Sequence, residues 1–288
     1  MKIIFLTDTH FGGKNLTGFQ MQPRYVENFE QIISALDRLA ERECADLVIH
    51  GGDMTENGNA EEIRIASGVV KKLLHVPLVL ALGNHDCIQE DCEKLWLTGA
   101  PEFFPQGTLD TTLAVDGVRI DVLSLYWGRN GLRWDMGEGQ FIRTAAHHLE
   151  LLRSGRNDCP RIIAMHSQIR PARKEMTGLE MDLHGPENNF SVAADALIRE
   201  FSPELILSGH IHMNLLEQIG ETMAAAAASA AETPFECKVV EIASGKISMR
   251  TVPLAPELGF EPEYREESRY VQGCEAIRNF EKILNCNP

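Results

Sequence analysis

The stretch VLALGNHDCIQ (residues 79–89) begins as a run of aliphatic residues and breaks abruptly into Gly83-Asn84-His85-Asp86. Its first half has the composition of a fully buried strand. Four small or polar residues directly after it either make a turn or deliver side chains to a site. Taken alone, the step could equally start a helix, with Asn84 or Asp86 as the N-cap. The choice depends on whether other strands in the chain end the same way.

They do. KIIFLTD (2–8), DLVIHGGD (46–53), VPLVLALG (76–83), RIIAMHS (161–167) and ELILSGH (204–210) are short apolar runs that stop at or beside Asp, Asn or His. Helical patterns lie between them. From about Pro23 to Glu43 the residues Val26, Phe29, Ile32, Ile33, Leu36, Leu39 and Ala40 recur at spacings of three and four. Further helices are predicted at about 60–74, 140–153 and 192–200. Two stretches alternate like hairpins: 112–127 around Asp116-Gly117, and 235–254 around Ser244-Gly245.

Strands alternating with helices predict parallel pairing, with helices on both faces. Adding the antiparallel ribbons gives an α/β chain whose core is a β-sandwich of two mixed sheets flanked by helices. The main domain is expected over 1–254. A polar tail, 255–288, is expected to wrap the domain or to serve as an oligomer contact, ending in a short helix near Glu275 to Leu284. Met223 to Ala231 is rich in alanine, so propensity alone predicts a helix there. Its strand-like neighbours favour a closely packed strand instead.

The bulk numbers narrow the class. With 288 residues and 44% hydrophobic content, the chain suits one large domain. A net charge of −15, from 42 acidic and 27 basic residues, disfavours an extended nucleic-acid partner. Cys44, Cys87, Cys92, Cys159, Cys237, Cys274 and Cys286 form no CxxC pair and are odd in number, which speaks for a reducing compartment. A strand starting at Lys2 leaves no room for a signal peptide, and no apolar run approaches the roughly 18 residues of a membrane span. A cytoplasmic protein without a membrane partner is expected.

The strand ends supply Asp8 and His10, then Asp53, then Asn84 and His85, then His166, then His210 and His212. In an open α/β sheet such residues converge at the carboxyl ends of the strands. A lone His after a strand is usually a structural residue, but five strand ends carrying imidazole, carboxylate or amide imply shared chemistry. Donors of these types, without thiolate, suit Mn²⁺, Fe²⁺ or Zn²⁺. Seven ligands are too many for one ion and suit two that share a carboxylate. Two ions roughly 3.5–4 Å apart form the arrangement used for in-line displacement at phosphorus. On this reading the strand stops at Gly83 so that Asn84 can ligate and His85 can face a substrate.

The order Asp8-x-His10, Gly52-Asp53, Gly83-Asn84-His85-Asp86, His166, Gly209-His210-x-His212 resembles the motifs of the calcineurin-like metallophosphoesterase superfamily, over residues 1 to about 215. The resemblance implies two divalent metal ions. Asp8, His10, Asp53 and His212 would hold the first; Asp53, Asn84, His166 and His210 would hold the second. A hydroxide between them, its pKa lowered, would attack phosphorus. His85 would bind a phosphate oxygen or protonate the leaving group, and Asp86 would orient His85. Many members carry a second acidic residue soon after Gly-Asp; Glu56 is the nearest candidate here and is not counted as a ligand. Noncatalytic scaffolds of the superfamily have lost ligands, whereas none is missing here.

HGGDMTENG (50–58), His10 and SGHIHMN (208–214) are most similar to the class III cyclic-nucleotide phosphodiesterase branch. The resemblance implies hydrolysis of a small phosphate ester, a diester first and a monoester second, with Asn84, His85 and Asn214 placed to reach substrate oxygens. TDTHFGGKN (7–15) is similar to the first motif of DNA-repair exonucleases, against which the acidity argues. A noncatalytic interaction module on the same fold is the alternative from another class. Two loops could select a substrate. Segment 167–189 holds Arg170, Arg173, Lys174 and His184, and segment 126–139 holds Trp127 and Trp134. His147 and His148 fall in a helical run and read as surface residues.

Overall fold

Side chains along a strand alternate between its faces, and the first strand shows what this does for the whole molecule. In the computed structural model, which describes residues 1–135, 137, 142–144, 146–154 and 159–284, Ile3 and Phe5 enter a core shared by two sheets. Ile4 and Leu6 point the other way, into a core covered by helices. Strands buried on both faces need no polar alternation, which is why these runs are continuously apolar.

In chain order the regular elements begin with β1 (Lys2–Leu6), α1 (Phe29–Glu43), β2 (Leu47–His50), α2 (Ala60–Leu73), β3 (Leu78–Leu80) and α3 (Cys92–Gly99). The second half contains β4 (Thr111–Val115), β5 (Val118–Leu123), α4 (Ala146–Arg153), β6 (Arg161–Met165), α5 (Lys174–Thr177), α6 (Asn188–Phe201) and β7 (Leu205–Ser208). It closes with β8 (Leu215–Ile219), β9 (Thr222–Ala226), β10 (Glu236–Ala243), β11 (Lys246–Pro253) and β12 (Asn279–Ile283). One six-stranded sheet has the order β12-β11-β10-β1-β2-β3, the other β4-β5-β6-β7-β9-β8. β1, β2 and β3 are parallel, as are β5, β6, β7 and β9, and the remaining pairs are antiparallel. The chain is therefore an α/β sandwich of two mixed sheets with flanking helices, as its pattern predicts.

Both foreseen hairpins form. Val115 faces Val118 across Asp116-Gly117, and Ala243 faces Lys246 across Ser244-Gly245. All four turn residues have positive φ, between 52° and 77°, the geometry of the two-residue turns that match strand twist. A third hairpin, β8 to β9, turns at Gly220-Glu221 and was not foreseen.

Four expectations need correction. The first predicted helix starts at Phe29, after a single turn at Val26–Asn28, not at Pro23. The alanine-rich segment is a strand only over Thr222–Ala226. Residues 227–231 then cross beneath the start of the chain, where the Ala230 amide donates to the Thr7 carbonyl (2.9 Å) and Ser229 Oγ to the Asp8 carbonyl (2.7 Å). Small side chains permit that close approach, which propensity does not report. The expected terminal helix near Glu275 to Leu284 is a short turn, Glu275–Ile277, followed by strand β12. Alternation decides this: Phe280 turns inward opposite Met249, while Asn279, Glu281 and Ile283 are exposed. The helix predicted at 140–153 is a helix only from Ala146 (α4). Arg143 forms an antiparallel bridge with Tyr126 and residues 142–144 are not helical, while 140, 141 and 145 lie outside the described residues.

The tail packs on the sandwich through β12, through Tyr270 Oη on the Gln20 carbonyl (3.1 Å), and through Arg278 on Glu236 (2.5 Å). Among the described residues no helix is long and apolar enough to cross a membrane. Because β12 covers the edge of β11, ending the chain after Arg278 should lower the thermal midpoint and promote self-association through the bared edge. Calorimetry and size-exclusion chromatography would detect both effects.

Candidate metal centre

The loops that leave β1, β2, β3, β6 and β7 lie at one edge of the sandwich, because these strands run in the same direction within their sheets. They bring Asp8, His10, Asp53, Asn84, His166, His210 and His212 together. Asp8 Oδ1 is 3.3 Å from His212 Nε2, and the two imidazoles of His10 and His212 approach to 3.2 Å at Nε2. Asp53 Oδ2 is 3.2 Å from His166 Nε2 and 3.8 Å from His10 Nε2. The donors fall into two groups, Asp8–His10–His212 and Asp53–His166–His210, with Asp53 near both.

The outer atoms of these side chains are committed to the fold. His166 Nδ1 lies 2.7 Å from the Gly51 carbonyl, which fixes that nitrogen as an N–H and makes Nε2 the nitrogen an ion would take. His212 Nδ1 is 2.8 Å from Glu232, and His10 Nδ1 is 3.1 Å from Glu56. Asp8 Oδ2 accepts from Thr7 Oγ1 (2.7 Å) and the His210 amide (3.1 Å), and Asp53 Oδ1 accepts from the His85 amide (2.8 Å). The inner atoms Asp8 Oδ1, Asn84 Oδ1 and His166 Nε2 are buried and find no hydrogen-bond partner within the protein. Buried polar atoms of this kind cost free energy unless something satisfies them, and all three are metal donors. The donor set thus fits two divalent cations.

Burial opposes ionisation of Asp8 and Asp53, yet neighbouring imidazoles hold both carboxyls well below their usual range. Burial and His166 push His210 down to about 3, so its neutral form is the one present. Backbone geometry adds a constraint. Asp8, His10, Asp53, His210 and His212 all have positive φ, between 48° and 75°, which costs about 1 kcal/mol or more each. Glycine is needed where the loops touch: a Cβ on Gly83 would overlap Asp53 Oδ1, and one on Gly209 would overlap Thr7 Oγ1.

Two expected roles change. Asp86 does not reach His85. Its carboxylate accepts from the Thr55 amide and hydroxyl (both 2.9 Å), the Gly83 amide (3.0 Å) and the Met54 amide (3.3 Å). It ties the loops after β2 and β3 together, and burial with the charge of Asp53 raises its pKa to about 6. His85 is oriented instead by Nδ1 on the Glu56 carbonyl (2.9 Å). Asn214 faces away from any substrate. Its Nδ2 donates to Glu236 (2.5 Å), and its Oδ1 accepts from Lys238 (2.7 Å) and the Ala228 amide (3.2 Å), all buried. The reason is position: strand β8 begins at the next residue and turns the side chain into the sandwich.

A pocket of about 410 Å³ opens above these donors. Its lining includes Asn84, His85, Trp134, Ile142, Phe19, His184, Pro186 and Gln168. The Trp134 ring lies 5.0 Å from that of His85 at a 49° tilt, and Phe19 lies 5.0 Å from His184 and 5.9 Å from His212. Trp127 is not a lid residue; it is buried, with its ring 5.4 Å from both His166 and His210. Arg170 and Arg173 pair with Asp195 and Glu217 outside the pocket, and Lys174 is not among the pocket residues. Sequence reasoning missed Glu232, Arg24 and Phe19. Glu232 ends the alanine-rich run, and an acidic residue in that buried stretch was the one available signal.

A family model for the calcineurin-like phosphoesterase matches residues 1–214. No curated protein matches the chain. Among solved structures it resembles a dimetal phosphatase from Danio rerio, at 12% identity and a TM-score of 0.66, covering 92% of this chain and 98% of that one. A purple acid phosphatase from yellow lupin seeds gives 12% identity and 0.59, covering 96% and 56%. GAP50, the anchor in the inner membrane complex of Plasmodium, gives 12% identity and 0.59, covering 92% and 89%. At these identities the likeness concerns the fold.

Replacing Asn214 with Ala should leave ion uptake at the cluster unchanged while lowering stability by about 1–3 kcal/mol, because Lys238 and Glu236 lose a buried partner. Urea unfolding beside a metal count separates the two readouts.

Proposed function

This chain belongs to the calcineurin-like phosphoesterase family, and we propose that it hydrolyses small phosphodiesters at a centre of two divalent ions. The supporting observation is that seven donors from five strand ends converge, with His10, Asp53, Asn84, His210 and His212 lining one pocket and Asp8 and His166 fully buried beside them. Asp8 Oδ1, Asn84 Oδ1 and His166 Nε2 are left without a hydrogen-bond partner. Asp8, His10 and His212 would hold one ion; Asn84, His166 and His210 would hold the other; Asp53 would be shared. When bound, Mn²⁺, Fe²⁺ or Zn²⁺ would supply Lewis acidity toward the phosphoryl oxygens and a lowered pKa for the attacking water.

The chain's own residues do the rest. His85 has its amide on Asp53 and Nδ1 on the Glu56 carbonyl, so Nε2 is the nitrogen available to a substrate. As imidazolium it hydrogen-bonds a phosphoryl oxygen and gives its proton to the leaving oxygen. Trp134 lies against this ring, 5.0 Å away and tilted by 49°.

A diester is favoured over a monoester by shape: it carries two organic arms, which Phe19, Trp134, Ile142 and Pro186 can cover. The net charge of −15 weighs against long nucleic acid. All the described cysteines are free thiols, which suits a cytoplasmic location.

The test is metal-restored cleavage of bis-p-nitrophenyl phosphate beside p-nitrophenyl phosphate on chelator-stripped protein. Faster diester cleavage is expected; a monoester preference would make the protein a phosphatase, and no cleavage with any ion would overturn a catalytic reading. Asp53→Ala should abolish both ion uptake and turnover. His85→Ala should keep the ions and slow turnover by about 10²–10⁴-fold, the usual worth of a general acid.

A further inference from the structure

A second group of metal-capable side chains lies outside the pocket, at Asp110, His147 and His148. Asp110 immediately precedes β4. The Ser124 amide donates to its Oδ1 at 2.8 Å, and Thr108 Oγ1 donates to the Asp110 carbonyl at 2.8 Å, so the residue is fixed in place. His147 Nε2 is 2.7 Å from Asp110 Oδ2, and His148 Nε2 is 3.3 Å from Asp110 Oδ1. The two rings stand 4.4 Å apart at a 62° interplanar angle, and one donor atom from each of the three residues lies within 4.8 Å of the others.

Consecutive residues on a helix project about 100° apart, so neighbouring imidazoles do not ordinarily meet on one group. Here they do, because Asp110 sits against the first turn of α4. Burial pushes Asp110 upward, but His148, the Ser124 amide and His147 outweigh it and hold the carboxyl below its usual value. An ionised carboxylate with two imidazoles is a three-donor set for a borderline divalent ion, with a fourth position left to water.

We propose that Asp110, His147 and His148 form a second metal site, of the zinc type, separate from the ester centre. Its place in the fold indicates what it does. The Tyr126 ring lies 5.7 Å from His147 and 6.2 Å from His148, and the Tyr126 backbone pairs with that of Arg143 in both directions at 3.0 Å. Between Tyr126 and Arg143 the chain carries Trp127, which backs His166 and His210, and Trp134, which packs on His85. An ion at this site fastens the base of the loop that forms one wall of the pocket.

The experiment counts ions. Full-length protein is stripped with chelator, supplied with Zn²⁺, cleared of loose metal by gel filtration and analysed by mass spectrometry. His147 is half exposed, with 48% of its side chain accessible, so His147→Ala should fold; Asp110→Asn serves as a second, isosteric variant. Each variant should hold one ion fewer than the wild type, with cooperative melting retained and affinity for that ion weakened by about 100-fold or more. The same difference of one should persist when the ester centre is disabled by Asp53→Ala, and Co²⁺ in that background should give the visible absorption of a tetrahedral site. Failure of the ester centre lowers both counts equally and leaves the difference intact. Equal counts in wild type, His147→Ala and Asp110→Asn would overturn the site.

Discussion

The structure is organised around two buried carboxylates, Asp8 and Asp53, held close to the same imidazoles. Burying one ionised carboxylate is costly unless it is paired and hydrogen-bonded, and two of them repel each other as well. Hydrogen bonds from Thr7, His210 and the His85 amide cover one oxygen of each. The other oxygen of each faces His10, His166 or His212. Against burial, the carboxylates in turn raise the pKa of His166, to about 9, and, together with Glu232, of His212. These rings balance the charge as imidazolium groups, a role that divalent cations would take over when bound.

The same logic governs the surrounding contacts. His166, His212 and His10 each place one ring nitrogen beside an oxygen outside the cluster, on Gly51, Glu232 and Glu56. That fixes ring orientation and turns the other nitrogen inward, as metal-binding histidines require. Asp86 performs the equivalent task for the backbone, gathering donors from the loops after β2 and β3 onto one carboxylate. Positive φ at five of the candidate ligands is tolerated because these contacts over-determine the loops.

Segments far apart in sequence close the site. Glu232 comes from the crossing after β9, Arg24 and Phe19 from the segment before α1, and Trp134 from the loop after β5. The tail braces the sandwich behind the cluster, where Arg278 meets Glu236 and Glu236 meets Asn214. Asn214 thus links the strand that follows His212 to the last part of the chain, a structural task that its nearness to the motif concealed.

The sequence by itself determined the sandwich class, the two hairpin turns and the convergence of Asp8, His10, Asp53, Asn84, His166, His210 and His212. Each follows from a short-range rule: apolar runs make buried strands, Asp-Gly and Ser-Gly make two-residue turns, and parallel strands end on one edge. What each polar atom faces depended on tertiary structure. The spacing of Asp86 from His85 suggested a pair, yet the loop after β2 offered Asp86 three donors, with Gly83 as a fourth, and took it away. The sequence placed Asn214 two residues past His212, but strand direction turned it inward. Arg24 and Phe19 carry no local signal, and Glu232 only its acidity at the end of an apolar run, because partners separated by up to hundreds of positions become neighbours only when both sheets are packed. The same holds for strand β12, whose place was decided by a free edge on β11 and not by its own propensity.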